Sequence, residues 1–132
     1  MRFFCGRKAT FSSLPLLFLL LLLFFAKEGE ASCKSDLVGG DHTCPLFNTS
    51  TIKCFGYNNV GRLGYGDTSN RGDGPGEMGS NLSFVNLNGD VKSVSLGEYH
   101  SCAAFTDFSA ACWGSNVNGQ LGQGDTNARG DN

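Results

Sequence analysis

Cys112-Trp113-Gly114-Ser115-Asn116-Val117-Asn118-Gly119-Gln120-Leu121-Gly122-Gln123-Gly124-Asp125-Thr126 repeats an earlier stretch, Cys54-Phe55-Gly56-Tyr57-Asn58-Asn59-Val60-Gly61-Arg62-Leu63-Gly64-Tyr65-Gly66-Asp67-Thr68, at the constant offset that separates Cys54 from Cys112. The correspondence extends without a gap from Gly39–Gly74 onto Gly97–Asn132, and sixteen of the thirty-six positions are identical. A period of this size belongs to architectures in which one unit cannot bury its apolar face alone and stacks on neighbours. The second copy reaches Asn132 partway through its unit, so the chain reads as the start of a longer protein.

Upstream of Trp113 the texture is that of strands. Val91, Val94 and Leu96 form a β-prone run, Glu98 and Tyr99 turn the chain, and Ser101–Phe105 and Ala110–Trp113 make two further runs. A three-residue turn centred on Asp107 sets Cys102 opposite Cys112, where cross-strand Cβ atoms stand about 4.5–5.5 Å apart. Downstream, glycines recur at 114, 119, 122 and 124. Such spacing marks an ordered loop with positive φ or close backbone approach, anchored by Leu121, or by Leu63 in the first copy. The first copy continues through Arg71–Glu77 to an expected strand at Phe84, Val85 and Leu87, with an Asn88-Gly89 hairpin into Val91. About four short strands every fifty to sixty residues fit the blades of a β-propeller.

The first thirty-one residues read as a signal peptide. Arg2, Arg7 and Lys8 form a basic front, and Leu14–Ala26 is a thirteen-residue apolar run broken only by Pro15. That run is short for roughly 30 Å of hydrocarbon, and Gly29 and Ala31 are small residues at the spacing a signal peptidase reads. Cleavage is expected after Ala31; an uncleaved anchor is the alternative if Phe11–Ser13 join the apolar run. Glu30 speaks against a lipidated Cys33. Removing this segment takes away four basic and two acidic side chains, leaving six basic and ten acidic and a net charge of −4. No basic stripe for phosphates remains, which disfavours nucleic acid as a partner.

Cysteine usage agrees with export. Cys44 and Cys54 are ten apart, as are Cys102 and Cys112, which points to one disulfide per module in an oxidising compartment. Cys33 is left without a repeat counterpart, since Val91 stands one period further on.

The Cys112–Thr126 string, preceded by Gly97, His100, Ser101 and Cys102, resembles the repeat of the regulator of chromosome condensation family in a cysteine-bearing variety. The Cys54–Thr68 copy departs from it at Phe55 and Tyr65. The resemblance covers about residues 37–132 and implies an all-β fold, a partial β-propeller of fewer than two four-stranded blades with glycine-rich loops. Complete members usually form seven blades. The family's prototype is a nuclear guanine-nucleotide exchange factor, and other relatives are binding platforms. The expected organisation is a signal peptide over 1–31 and repeats over 32–132, the first copy about 37–90 and the second about 91–132.

Other local motifs coincide with positions that the repeat uses for itself. His42 and His100 each precede a cysteine by two residues, but a zinc site there lacks a fourth ligand. The Asp67–Asp73 loop, recurring at Asp125–Asp131, is rich in oxygens but lacks the order of a calcium loop, and Arg71 and Arg129 stand inside it. An Asx-turn or internal salt link is the simpler role. Arg71-Gly72-Asp73 and Arg129-Gly130-Asp131 spell an adhesion tripeptide at one repeat position. Asn48 and Asn81 lie in Asn-x-Ser sequons in turns and are candidate glycosylation sites. No catalytic constellation, metal set or cofactor-binding motif emerges. The expectation is therefore a secreted, non-enzymatic module that binds an unidentified protein partner and touches membrane only through an uncleaved leader. Its alternatives are an exchange regulator of a small GTPase by family analogy, or the targeting arm of an enzyme lying downstream.

Overall fold

The computed structural model describes residues 33–35, 39–47 and 50–131. The leader ending at Ala31 and the Asn48 sequon lie outside them. In chain order the strands are β1 (Cys33–Ser35), β2 (His42–Thr43), β3 (Leu46–Phe47), β4 (Phe55–Gly56), β5 (Val91–Leu96), β6 (His100–Phe105) and β7 (Ala110–Gly114), with one 3-10 turn at Gly79–Asn81. All pairings are antiparallel: β1 with β3, β2 with β4, and β5-β6-β7 as a three-stranded sheet.

The two copies have the same sheet. In the second, His100 pairs Gly114, Ser101 pairs Trp113 and Cys102 pairs Cys112. In the first, His42 pairs Gly56 and Thr43 pairs Phe55, the same register one period earlier. The continuous β6 becomes β2 and β3 because Pro45 replaces Ala103, which pairs with Ala111 in the second copy. Proline has no N–H to donate to the ladder. The pairing resumes at Leu46, bridged to Ile52. Both hairpin tips place a non-glycine residue in the left-handed region at one repeat position, Ser50 with φ 58° and Phe108 with φ 70°.

The disulfides close these hairpins. The sulfurs of Cys44 and Cys54 are 2.04 Å apart and those of Cys102 and Cys112 2.10 Å. Closing a loop of this size stabilises the fold by about 2.8 kcal/mol in the chain-entropy model. Cys44→Ser with Cys54→Ser is therefore expected to lower the urea-unfolding free energy by roughly that amount, and the second pair by a similar amount.

The expected strand at Phe84–Leu87 does not form. Val85 is buried and its N–H donates to Ile52 O at 2.9 Å, but Phe84 stays half-exposed, its ring edge-on to Phe47 at 5.7 Å and beneath Lys53 Nζ at 4.7 Å. Asn88-Gly89 makes a three-residue turn, Gly89 N–H to Leu87 O at 2.9 Å, rather than a hairpin that returns along 84–87. Both ends of the segment are instead tied to the first hairpin, Val85 N–H to Ile52 O and Val91 N–H to Ser50 O at 2.8 Å, so the chain lies across that hairpin rather than folding back along β5. The blade is thus three strands plus one bridge, Arg71 to Gly56 in the first copy and Arg129 to Gly114 in the second. Cys44, Leu46, Ile52, Cys54, Leu63 and Val85 share one core with Val91, Val94, Ala103, Phe105 and Trp113, so the copies bury their apolar faces against each other.

Candidate binding surface at the module junction

Each glycine loop is built around a buried asparagine. The Asn58 side chain is fully buried; its Oδ1 accepts the Leu63 N–H at 2.9 Å, and its Nδ2 donates to Asp67 O at 2.9 Å and Ser69 O at 3.0 Å. Asn116 repeats the pattern, Oδ1 accepting from Leu121 N–H at 3.0 Å and Nδ2 donating to Asp125 O at 2.8 Å. Hydrogen-bonded burial of this kind fixes a loop that has almost no apolar side chains of its own. The acidic residues act inside it as well. Asp67 pairs with Arg71 at 2.6 Å and Asp125 with Arg129 at 2.7 Å, and each aspartate also accepts a backbone N–H two residues on. Burial pushes the Asp67 carboxyl up, but the Ser69 N–H and the Arg71 guanidinium outweigh it and hold the group below its ordinary range. Asp125 is held low by the Asn127 N–H and then by Arg129.

The loop oxygens therefore have internal partners. Arg71 is spent on Asp67 and on the Ser69 and Asn70 carbonyls, and Asp73 accepts from Asn70 at 3.0 Å, so both charges of the first copy's tripeptide are engaged within the loop, as is Arg129 in the second. His42 and the Cys44 and Cys54 sulfurs are likewise not gathered as ligands, since the sulfurs bond each other and the histidine faces Ser101. Asn81 is exposed at the 3-10 turn, its Nδ2 donating to Gly76 O at 2.7 Å.

Sequence reading missed the junction between the copies. Arg62, one of the few cations, is fully buried. Its Nη1 donates to Glu98 O at 2.9 Å and its Nη2 to Asn59 Oδ1 at 2.7 Å, while the guanidinium lies 5.1 Å from the Tyr57 ring and 4.9 Å from the Tyr99 ring. Those tyrosines come from different copies and are 43% and 47% exposed, so one cation clamps two outward-facing aromatic edges across the junction. Beneath them the Arg62 carbonyl accepts two side-chain donors, Ser101 Oγ at 2.8 Å and Trp113 Nε1 at 2.9 Å. Ser101 has spent its only proton there, so its contact with His42 Nε2 at 2.9 Å requires the histidine to donate. That fixes the Nε2–H tautomer and leaves buried Nδ1 as a bare lone pair.

Burial, then Arg62 and His100, lower the His42 pKa from 6.5 to about 4, against a raising effect of Asp41. An unfolded imidazole takes up its proton near pH 6.5, before the folded one does. The contribution of neutral His42 is thus fully present above pH 6.5, declines as pH falls through the window down to about 4, and is lost below it. Relative to His42→Gln, whose amide can still donate to Ser101, the wild type is expected to lose about 2 kcal/mol more between pH 7 and pH 4. Urea titrations of both proteins across that range measure the difference.

Two family models, each described as the regulator of chromosome condensation (RCC1) repeat, match residues 54–104 and 91–120. The chain belongs to the RCC1-repeat family. The ultraviolet-B receptor UVR8 of Arabidopsis thaliana is 32% identical to it over 90 residues, which is 67% of this chain and 19% of the receptor. Among solved structures, yeast RCC1 (Prp20), determined bound to Kap60, superposes with a TM-score of 0.62 at 19% identity over 80% of this chain and 25% of that one. A second Saccharomyces cerevisiae Prp20p structure, described with its binding to Gsp1p and histones, gives 0.62 at 19% over 80% and 26%. Human WBSCR16 gives 0.59 at 22% over 77% and 25%. This RCC1-repeat chain therefore has the fold of those β-propellers and spans about a fifth to a quarter of the length of these relatives.

Proposed function

We propose that this RCC1-repeat chain is a non-enzymatic, protein-binding part of a β-propeller that works outside the cytosol. The observation that carries the binding role is the Tyr57–Arg62–Tyr99 clamp. Tyrosine and arginine supply the rigid anchors of protein interfaces at low entropic cost, and here the buried guanidinium already holds both rings in place. The yeast relative's binding to Kap60, Gsp1p and histones supports protein as the class of partner. The acidic mature chain speaks against nucleic acid as a partner. Export is supported by the leader that ends at Ala31 and by a staple in each hairpin; a glycan on exposed Asn81 fits the same route.

A reporter fused after residue 40 tests export. Recovery in the medium supports it, and recovery in the membrane pellet indicates a tethered form. Cytosolic retention would overturn it and revive nucleotide exchange on a small GTPase. The clamp is tested separately with the full chain: Tyr57→Ser with Tyr99→Ser should abolish capture of proteins from the exported fraction, and far-UV circular dichroism at the assay temperature confirms that the variant is folded when capture is measured. Unchanged capture would remove the clamp from the binding role.

A further inference from the structure

A cleft of about 280 Å³ opens on the first copy beside its glycine loop, with Tyr65, Arg71, Glu77, Asn81 and Ser83 in its lining. The junction with the second copy uses none of these side chains. Their positions are fixed all the same. The Tyr65 hydroxyl oxygen accepts the Cys54 N–H at 3.0 Å and lies 3.0 Å from both the Cys54 and the Ser83 carbonyls, which share its proton. Arg71 stands 5.2 Å from the same ring. Glu77 Oε2 accepts the Gly72 N–H at 2.7 Å and the Gly74 N–H at 2.9 Å. Tyr65 occupies the position of Gln123 in the second copy, so the repeat itself does not demand a ring there.

The sequon Asn81-Leu82-Ser83 sets a modifiable amide on the rim of this cleft. Leu82 is buried and anchors the segment, while Asn81 and Ser83 on either side are exposed. An asparagine amide carries two hydrogens, and Asn81 Nδ2 donates one of them to Gly76 O at 2.7 Å. A sugar on Nδ2 replaces the other. The bond to Gly76 survives the modification and holds the amide at the edge of the cleft, so the first sugar starts from a fixed position.

We propose that Asn81 carries an N-linked glycan whose first N-acetylglucosamine is seated in this cleft against Tyr65 and Glu77. The donor is a lipid-linked oligosaccharide diphosphate of the secretory route. Nδ2 forms a bond to C1 of the sugar and gives up one proton, while the C1–O bond breaks and its electron pair leaves with the diphosphate. In the cleft the C–H face of the pyranose meets the electron-rich Tyr65 ring, and the acetamide N–H meets the Glu77 carboxylate, whose Oε1 is not needed by the Gly72 and Gly74 N–H groups. The volume lies just under the roughly 300–1,000 Å³ of small-molecule clefts, which suits one sugar with the rest of the glycan in solvent. The seat rests on the export reading, because only that route delivers the donor.

The test exchanges residues 1–31 of the full chain for a cleavable leader of a eukaryotic secreting host and adds Asn48→Gln. Asn81 is then in the one remaining sequon, and its acceptance is read whatever the native leader does. An endoglycosidase trims the glycan to its first sugar. The expected result is N-acetylglucosamine on Asn81, NMR cross-relaxation between its acetyl methyl and the Tyr65 ring, and slower exchange of the Gly72 and Gly74 amides. That exchange should be at least about threefold slower than in Ser83→Ala, which removes the sequon and keeps the bond from Asn81 to Gly76. An unmodified Asn81 in that host would overturn the proposal and leave the export reading, which the reporter fusion tests, untouched. So would a modified Asn81 that shows no contact with Tyr65 and exchanges as Ser83→Ala does. Free N-acetylglucosamine at millimolar concentration should leave Ser83→Ala unchanged, because only the covalent tether supplies the effective concentration that so small a contact needs. Slowing by the free sugar would assign the cleft to a foreign saccharide and overturn the tethered seat.

Discussion

Trp113→Ala is expected to lower the unfolding free energy by about 3–5 kcal/mol, the range for removing a buried aromatic side chain. Three contributions combine. The indole is 5% exposed within the core shared by both copies, and its loss opens a cavity between them. Its Nε1–H bond to the Arg62 carbonyl disappears. Gly64 and Gly130, which have no side chains with which to fill the space, lose the group they were packed against. Trp113→Phe should cost far less, about 1 kcal/mol, because Ser101 still satisfies the carbonyl and the first copy already uses Phe55 at this position. Urea unfolding followed by far-UV circular dichroism separates the two variants.

Asn58→Ala should cost about 3 kcal/mol although it removes few apolar atoms. The alanine leaves the Leu63 N–H without its acceptor and the Asp67 and Ser69 carbonyls without their donor, in a place where the Asn58 side chain was fully buried. An unmet buried polar group costs about 1–3 kcal/mol each, tempered by water entering the loosened loop. Native-state hydrogen exchange should show the loss concentrated at Leu63 and Gly64. Asn116→Ala should loosen the second loop in the same way. Equal protection of the Leu63 amide in wild type and Asn58→Ala would show that the asparagine does not hold the loop.

What the sequence made legible is what repeats. Identity one period apart marked Cys44, Cys54, Asn58, Gly61, Leu63, Asp67 and Arg71 as parts of one module, and the structure gives each the same kind of partner as its counterpart. Residues that differ between copies carried no such signal, and several of them meet at the junction beside the repeated His42 and Gly64: Arg62 against Gln120, Thr43 against Ser101, Phe55 against Trp113. Contact between modules is made by one copy's loop on the next copy's hairpin, so its two sides occupy different repeat positions. Comparing equivalent positions therefore hides the pairing. A buried arginine is also invisible to hydropathy, because its burial depends on the nearby Tyr57 ring together with the Glu98 carbonyl and the Tyr99 ring, both brought from the other copy. Phe84–Leu87 failed as a strand for a tertiary reason: Val85 N–H is taken by Ile52 O and Val91 N–H by Ser50 O, contacts with the first hairpin that local propensity does not encode.

The two copies dock through the Arg62–Gly64 segment onto Trp113, and Gly64→Asn set beside Gly122→Asn isolates that contact. Both glycines have left-handed φ, 78° and 68°, so intrinsic backbone cost is matched and only the neighbour differs. Unfolding midpoints in urea should drop for Gly64→Asn by the equivalent of about 1–3 kcal/mol, as overpacking against the indole predicts, and stay near wild type for Gly122→Asn. Equal midpoints for the two variants would contradict the docked junction.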